Sequence, residues 1–216
     1  MLRFSGRKAF VPDGDNSALM AILSRDFYDR PTLEVAKSLL GKILIRELPE
    51  GEAALRIVET EAYIGGDDKA CHASKGMTAR NRVMFGEPGH AYVYLIYGMY
   101  NCLNLVTEKN SFPAAVLIRA GEPINGEKIM MSRRSKAKKP CDIASGPGKL
   151  CAAMNITREL NGADVCIKGG LYVEDGLMVE NVVVCPRIGV DYAGEDALRP
   201  WRFYDKNSPC VSKRAK

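Results

Sequence analysis

Two carboxylates and a phenol alternate in Val58-Glu-Thr-Glu-Ala-Tyr63. In an extended strand Glu59, Glu61 and Tyr63 point to one face, and Val58, Thr60 and Ala62 to the other. A positioned carboxylate can take a proton from water, and burying such groups without purpose is costly. The plain alternative is a solvated strand face. The segment that follows, 67–82, favours chemistry: it is long, polar and irregular, and holds His72, Arg80, Asn81 and Arg82. Serine-based hydrolysis has no support, because no G-x-S-x-G occurs and neither His72 nor His90 has a nucleophile setting.

A second candidate lies at 91–106. Two β-rich runs, 91–97 and 100–106, flank Gly98-Met99, which reads as a hairpin with Tyr97, Gly98 and Met99 at its tip. A purely structural turn would take Asn-Gly or Asp-Gly. An aromatic at a tip suits a wedge driven between stacked bases, or else a tip packed beneath a neighbouring loop. Ser145-Gly-Pro-Gly-Lys-Leu150 is not a P-loop, since the glycine spacing is wrong and Leu follows Lys. A helix start beside Lys149 still suits one backbone phosphate. The basic run 133–139 is either a further backbone contact or a solvated loop.

These groups need elements to hold them. Pro31 suits a helix start, with Leu33, Ala36, Leu39 and Leu40 on one face and Gly41 as the stop. Strands are expected at 42–48, 54–64 and 114–120. A short helix should run from 125 into the basic loop, and another should cover 147–155. Strands at 171–174 and 178–185 precede an irregular C-terminal stretch. Strands outnumber helices and are often sequence neighbours, so the expected fold is α+β: a single mixed domain with a curved, mostly antiparallel sheet, surrounding helices and a protruding β-hairpin. The domain should span 21–212, with aperiodic tails at 1–20 and 213–216.

Composition sets the outer limits. The chain has 216 residues, 46% of them hydrophobic and 26% charged, which excludes wholesale disorder and a fibrous chain. Its 31 Lys and Arg against 26 Asp and Glu leave +5, compatible with a polyanion partner but not diagnostic of one. No window approaches the roughly 18 apolar residues of a spanning helix. The apolar stretch 17–23 lacks the flanks of a signal peptide, so a cytoplasmic location is expected. The seven cysteines are scattered and form no CxxC pair, so reduced, structural thiols are expected. With two histidines, a zinc site has little to build on, and neither metal nor cofactor is expected.

Taken together, the motifs resemble the alkyladenine (3-methyladenine) DNA glycosylase family. The matching text includes Val58-Glu-Thr-Glu-Ala-Tyr63, Ala70-Cys-His72, Thr78-Ala-Arg-Asn-Arg82, Tyr92-Val-Tyr-Leu-Ile-Tyr-Gly-Met-Tyr100, Asn104, Leu117-Ile-Arg119-Ala-Gly-Glu-Pro123, Ser145-Gly-Pro-Gly-Lys-Leu150, Arg187-Ile-Gly-Val190 and Arg199-Pro-Trp-Arg-Phe-Tyr204. The similarity runs in order from about residue 23 to 212. It implies an enzyme that flips an alkylated or deaminated purine out of duplex DNA and hydrolyses its N-glycosidic bond. By that resemblance Glu61 activates water and Arg119 helps hold it. Tyr63, His72 and Tyr94 enclose the flipped base, and Asn104 screens out the guanine amino group. Tyr97, supported by Met99, fills the gap in the stack, while Arg80, Asn81 and Lys149 meet DNA. The implied partner is damaged double-stranded DNA, bound by a monomer with no obligate protein partner and no membrane. Two rivals stand beside it: a non-catalytic module for damaged DNA, and a structured-RNA binder or modifier.

Overall fold

The longest strand, β2 (Gly51–Ile64), is the axis on which the rest is assembled. The computed structural model describes residues 21–215, so the expected tail at 1–20 lies outside the described residues. β5 (Ala114–Asn125) runs antiparallel along nearly the whole of one edge of β2. The other edge is shared. β1 (Ile43–Leu48) pairs with residues 51–56, and β8 (Arg202–Asp205) pairs with residues 59–61. Outward from β5 lie β4 (Tyr100–Val106) and then β3 (Ala91–Ile96); β6 (Leu171–Glu174) continues beyond β1, and β7 (Val182–Cys185) beyond β8. All these pairings are antiparallel, and the eight-stranded sheet curls into part of a barrel. The α+β expectation holds.

One irregularity in β2 decides what faces where. Ala53, Leu55 and Ile57 belong to the main core, yet further along Ala62 does so too. The Thr60 hydroxyl likewise donates to the carbonyl of Ala36, in helix α2 (Thr32–Ser38), at 2.8 Å. The inward phase thus changes from odd to even. Register shifts between Ile57 and Glu59 and between Glu59 and Thr60 mark the irregularity responsible: Val58 on β2 and Arg119 on β5 are each left unpaired, so both strands change phase while their overall register is kept. Without it, strict alternation would send Glu61 and Tyr63 into the helix-side core.

That core lies between the sheet and the helices. α1 (Arg25–Tyr28), α2, α3 (Glu127–Arg133), α4 (Pro140–Ile143) and α5 (Pro147–Ala153) surround it, with Tyr28, Leu39, Leu55, Leu103 and Phe203 fully buried or nearly so. Pro147 takes the first helical position of α5, where a missing N–H costs nothing. A second, smaller cluster, which includes Cys71, Met84, Tyr92 and Val106, fills the opposite side of the hairpin strands beneath Tyr63 and Tyr94. Among the described residues no helix is long and apolar enough to cross a membrane.

Four expectations are corrected. β5 runs five residues past 120, until Gly126, at φ 70, turns the chain into α3. The C-terminal stretch is not wholly irregular: it contains β8 and helical 3-10 turns over Asp191–Leu198, both too short for a periodic signal. The expected tail at 213–216 is pinned through residue 215, where the Ala215 amide donates to the Tyr204 hydroxyl and Arg214 to the carbonyls of Lys206 and Ser208. Finally, the thiols are not all free. Cys141 and Cys210, 69 residues apart, form a disulfide where the C-terminal segment docks beside Val58 and Ala120. Cys71, Cys102, Cys151, Cys166 and Cys185 are free.

Candidate active site

Cross-strand register builds the site as a row on the face opposite the helices. Tyr92 on β3 faces Asn104 on β4, Asn104 faces Leu117 on β5, and Leu117 faces Glu61 on β2. One step along the strands, Tyr94 faces Cys102. Their neighbours Val93, Leu103, Val116, Ile118 and Ala62 point into the helix-side core, as the two-residue strand period requires. Tyr92, Asn104 and Leu117 of this row line a cavity of about 320 Å³ whose walls include Tyr63, His72, Tyr94, Arg119 and Tyr97, with Pro147 and residues 188–190 completing it. Glu61 lies behind that lining, bonded to Tyr63, Arg119 and Ile188. The lining is mostly aromatic and apolar with a few convergent polar groups, the usual make-up of a small-ligand pocket.

Glu61 is fully buried. Its Oε2 accepts hydrogen bonds from the Tyr63 hydroxyl at 2.8 Å and from Arg119 Nη1 at 3.2 Å, and its Oε1 accepts from the Ile188 amide at 2.8 Å. The solvated-face alternative for this strand is therefore wrong. Glu59, also fully buried, takes Arg119 Nε at 3.1 Å, Arg202 Nη1 at 2.9 Å and the Ser212 amide at 2.7 Å. Two carboxylates and two guanidiniums thus balance their charge inside the protein. Burial alone would lower the Arg119 pKa, but Glu61 and Glu59 outweigh it and raise it. Burial, then the Glu61 charge, holds the Tyr63 phenol well above its ordinary range, so it remains a donor to Glu61.

His72 closes the mouth. Its Nδ1 and the Tyr92 hydroxyl lie 2.9 Å apart, and its ring meets Tyr94 edge-on at 4.5 Å between centroids. One side of the residue is open to solvent. Burial of the other side, followed by the Arg80 charge, pushes its pKa down to about 4, which leaves the imidazole neutral near pH 7. Asn104 is buried on the floor and donates to the Tyr92 carbonyl at 3.1 Å.

The hairpin tip stands clear of the body. Tyr97 is 79% exposed and Met99 66%, so the tip does not pack under a loop. Tyr97 and Gly98 have φ of 53° and 71°, and the Met99 amide bonds the Ile96 carbonyl at 3.2 Å, closing a turn with left-handed residues at both centres. A tyrosine there costs roughly 1–2 kcal/mol relative to glycine.

The remaining expected residues are spread along the rim. Arg80 is exposed, lies over the Tyr94 ring at 5.2 Å and donates to the Leu95 carbonyl at 3.0 Å. Lys149 is exposed near the start of α5, with Nζ 3.5 Å from Ser145 Oγ. Asn81, by contrast, turns inward: it accepts from the Thr78 amide and donates to the carbonyls of His72 and Gly76, so it shapes the His72 loop and has no polar atom directed outward. In the basic run, Arg133 pairs with Glu50 and Arg134 bonds the Ile143 carbonyl, while Lys136, Lys138 and Lys139 are exposed. A shallower depression of about 820 Å³ leads from Tyr192 past His72 to Lys69, Lys75 and Arg80.

A buried carboxylate behind an aromatic pocket, a neutral histidine at its mouth and a strained tyrosine at its rim match the ordered motifs. A family model described as methylpurine-DNA glycosylase (MPG) matches residues 26–209. The chain belongs to the methylpurine-DNA glycosylase family. A relative from Methanocella arvoryzae, named "Putative 3-methyladenine DNA glycosylase", is 81% identical over 196 residues, covering 91% of this chain and 98% of its own. Proteins of the same name from Alkaliphilus oremlandii and Streptomyces avermitilis are 51% and 45% identical, covering 89% and 88% of this chain and 99% and 90% of theirs.

Several residues that build this site carry no motif of their own. Glu59 was visible beside Glu61, but not as the anchor of Arg119. Arg187 and Arg202 stand in the matching C-terminal text, where a basic residue among apolar ones was the available signal.

Proposed function

We propose that this protein is a monofunctional base-excision-repair glycosylase that extrudes a damaged purine from duplex DNA and hydrolyses its N-glycosidic bond. The observation that carries this reading is the state of Glu61. A carboxylate has about four acceptor sites; three are filled by protein, which leaves one on Oε1 without a donor among the described residues. A water held there has its proton acceptor in contact with it. As the C1′–N bond lengthens, its electron pair goes to the purine and positive charge gathers on the sugar, as in other glycosyl transfers. The buried Glu61 charge stabilises that cation, then takes a proton from the water whose oxygen bonds C1′.

Tyr63, His72 and Tyr94 provide the faces for the extruded base, and Tyr97 takes its place in the stack. Extrusion costs a few kcal/mol, least for a damaged or mismatched base, which itself selects lesions. A cationic alkylpurine such as 3-methyladenine gains about 0.5–2 kcal/mol against aromatic faces. Hypoxanthine and ethenoadenine have the same flat shape without the charge. The Asn104 amide on the floor bars the guanine amino group. Arg80, Lys149 and the depression beside His72 present positive charge to backbone phosphates, so binding should weaken steeply with salt. The protein acts as a monomer, one site on one duplex, without metal or cofactor, in the cytoplasm.

Incubation with duplexes carrying hypoxanthine, ethenoadenine or methylated purine, followed by alkali, tests the reading. Free base and alkali-labile sites, without strand breaks before alkali, are expected. Tight lesion binding without base release would instead support a non-catalytic module, and preference for structured RNA an RNA-directed role.

A further inference from the structure

Tyr63 has a second face, and a cation covers it. The Arg187 guanidinium lies 4.8 Å from the Tyr63 ring centre and 5.1 Å from that of Trp201, sandwiched between the two. Arg199 also lies over the Trp201 ring, 4.6 Å from its centre. Arg187 is held from its edge. It donates to both oxygens of the buried Asp68, at 2.5 and 2.7 Å, and to the carbonyls of Ala62 and Asp196 at 2.9 and 3.1 Å. Its Nε is buried with no hydrogen-bond partner among the described residues. A guanidinium placed only to close a polar network would not leave that group unmet; one fixed by two aromatic faces does.

We infer that Arg187 is a specificity-determining residue, which acts through Tyr63 to bias this site toward neutral damaged purines and against cationic ones. The inference rests on the proposed function, with Tyr63 as the platform for the extruded base. Its logic is charge accounting. Bond cleavage moves one electron pair onto the base, so a neutral purine passes from zero toward −1 and an alkylated cation from +1 toward zero. At every stage the two differ by one unit of charge. A fixed positive charge behind the ring therefore penalises the cationic lesion relative to the neutral one by the same amount throughout. That difference appears in the ratio of their kcat/KM values. Asp68 offsets part of that charge from the guanidinium's edge, and the buried setting keeps water from screening the remainder.

The test compares release of 3-methyladenine from methylated duplex with release of hypoxanthine from a matched duplex. Arg187→Met should raise the ratio of 3-methyladenine to hypoxanthine kcat/KM about threefold to tenfold, whatever happens to either value alone. Arg187→Lys, which keeps the charge but loses the planar fork, should leave the ratio within about twofold even where both rates fall. Asp68→Asn removes the neutralising charge and should lower the ratio, so it carries the test even if Arg187→Met does not fold. Equal losses for both lesions in Arg187→Met, or an unchanged ratio in Asp68→Asn, would overturn the inference and leave Arg187 as a prop for the ring. If the wild-type protein releases neither base, the proposed function fails and this inference falls with it.

Discussion

Two regions on either side of the cavity invert opposite rules of protein architecture. At the inner end Glu59, Glu61, Arg119 and Arg202 are charged, buried and bonded to one another. At the outer end Tyr97 and Met99 are large, apolar and exposed, on a turn whose backbone a tyrosine adopts at a cost. The inner arrangement is costly to desolvate but rigid once every group is paired. The outer arrangement weakens the fold only locally, because a hairpin tip supports little else. Chemistry needs atoms held in place, whereas capture needs a group free to enter another molecule. In the proposed function, bond cleavage belongs to the inner end and lesion capture to the tip.

The largest effect should come from the inner end. Glu61→Gln removes the proton acceptor and should cut base release by about 10²–10⁴-fold while lesion binding persists; single-turnover release and a gel-shift titration measure the two. Arg202→Met should instead act on the fold. It leaves Glu59 a partner short in a buried site and should lower stability by about 3–5 kcal/mol in urea unfolding. A loss below about 1 kcal/mol would mean that the network is wetter than its burial indicates.

At the tip the signs reverse. Tyr97→Gly relieves the left-handed strain and should raise stability, by up to about 1 kcal/mol, while weakening capture of lesions in duplex DNA. A variant that loses both stability and capture would break the contrast. The smallest effect concerns His72 at the mouth. Its folded pKa of about 4 lies below the ordinary 6.5, so between those values the unfolded chain binds more protons. Stability should therefore rise as pH increases from 4 to 6.5 and receive no further contribution from His72 above that. His72→Asn should flatten the slope within that window, read as Tm against pH.

How much of this could be read from the chain alone differs between the two ends. The hairpin is local, and its alternating runs placed Tyr97, Gly98 and Met99 at the tip without help. The inner end is assembled from distant strands. Glu61 meets Arg119 across 58 residues, the Ile188 amide across 127, and Glu59 meets Arg202 across 143. No spacing rule reaches that far, and only the ordered resemblance tied Glu61 to Arg119. The irregularity in β2 is hidden for another reason: nothing in the text of 54–64 marks Val58 as the residue left unpaired, and that shows only in the pairing with β5. Asn81 stands beside the outward-facing Arg80 in the sequence, and polarity does not distinguish a side chain that shapes a loop from one that serves a partner. The Cys141–Cys210 bond likewise depends on where the C-terminal segment docks.

One measurement tests the division of labour most directly: single-turnover base release from a lesion in paired duplex and from the same lesion in an unpaired bulge, where extrusion is already made. Tyr97→Ala should lose activity on the paired substrate and recover most of it on the bulged one, whereas Glu61→Gln should be inactive on both. Equal losses for Tyr97→Ala on the two substrates, or normal turnover by Glu61→Gln, would contradict the account.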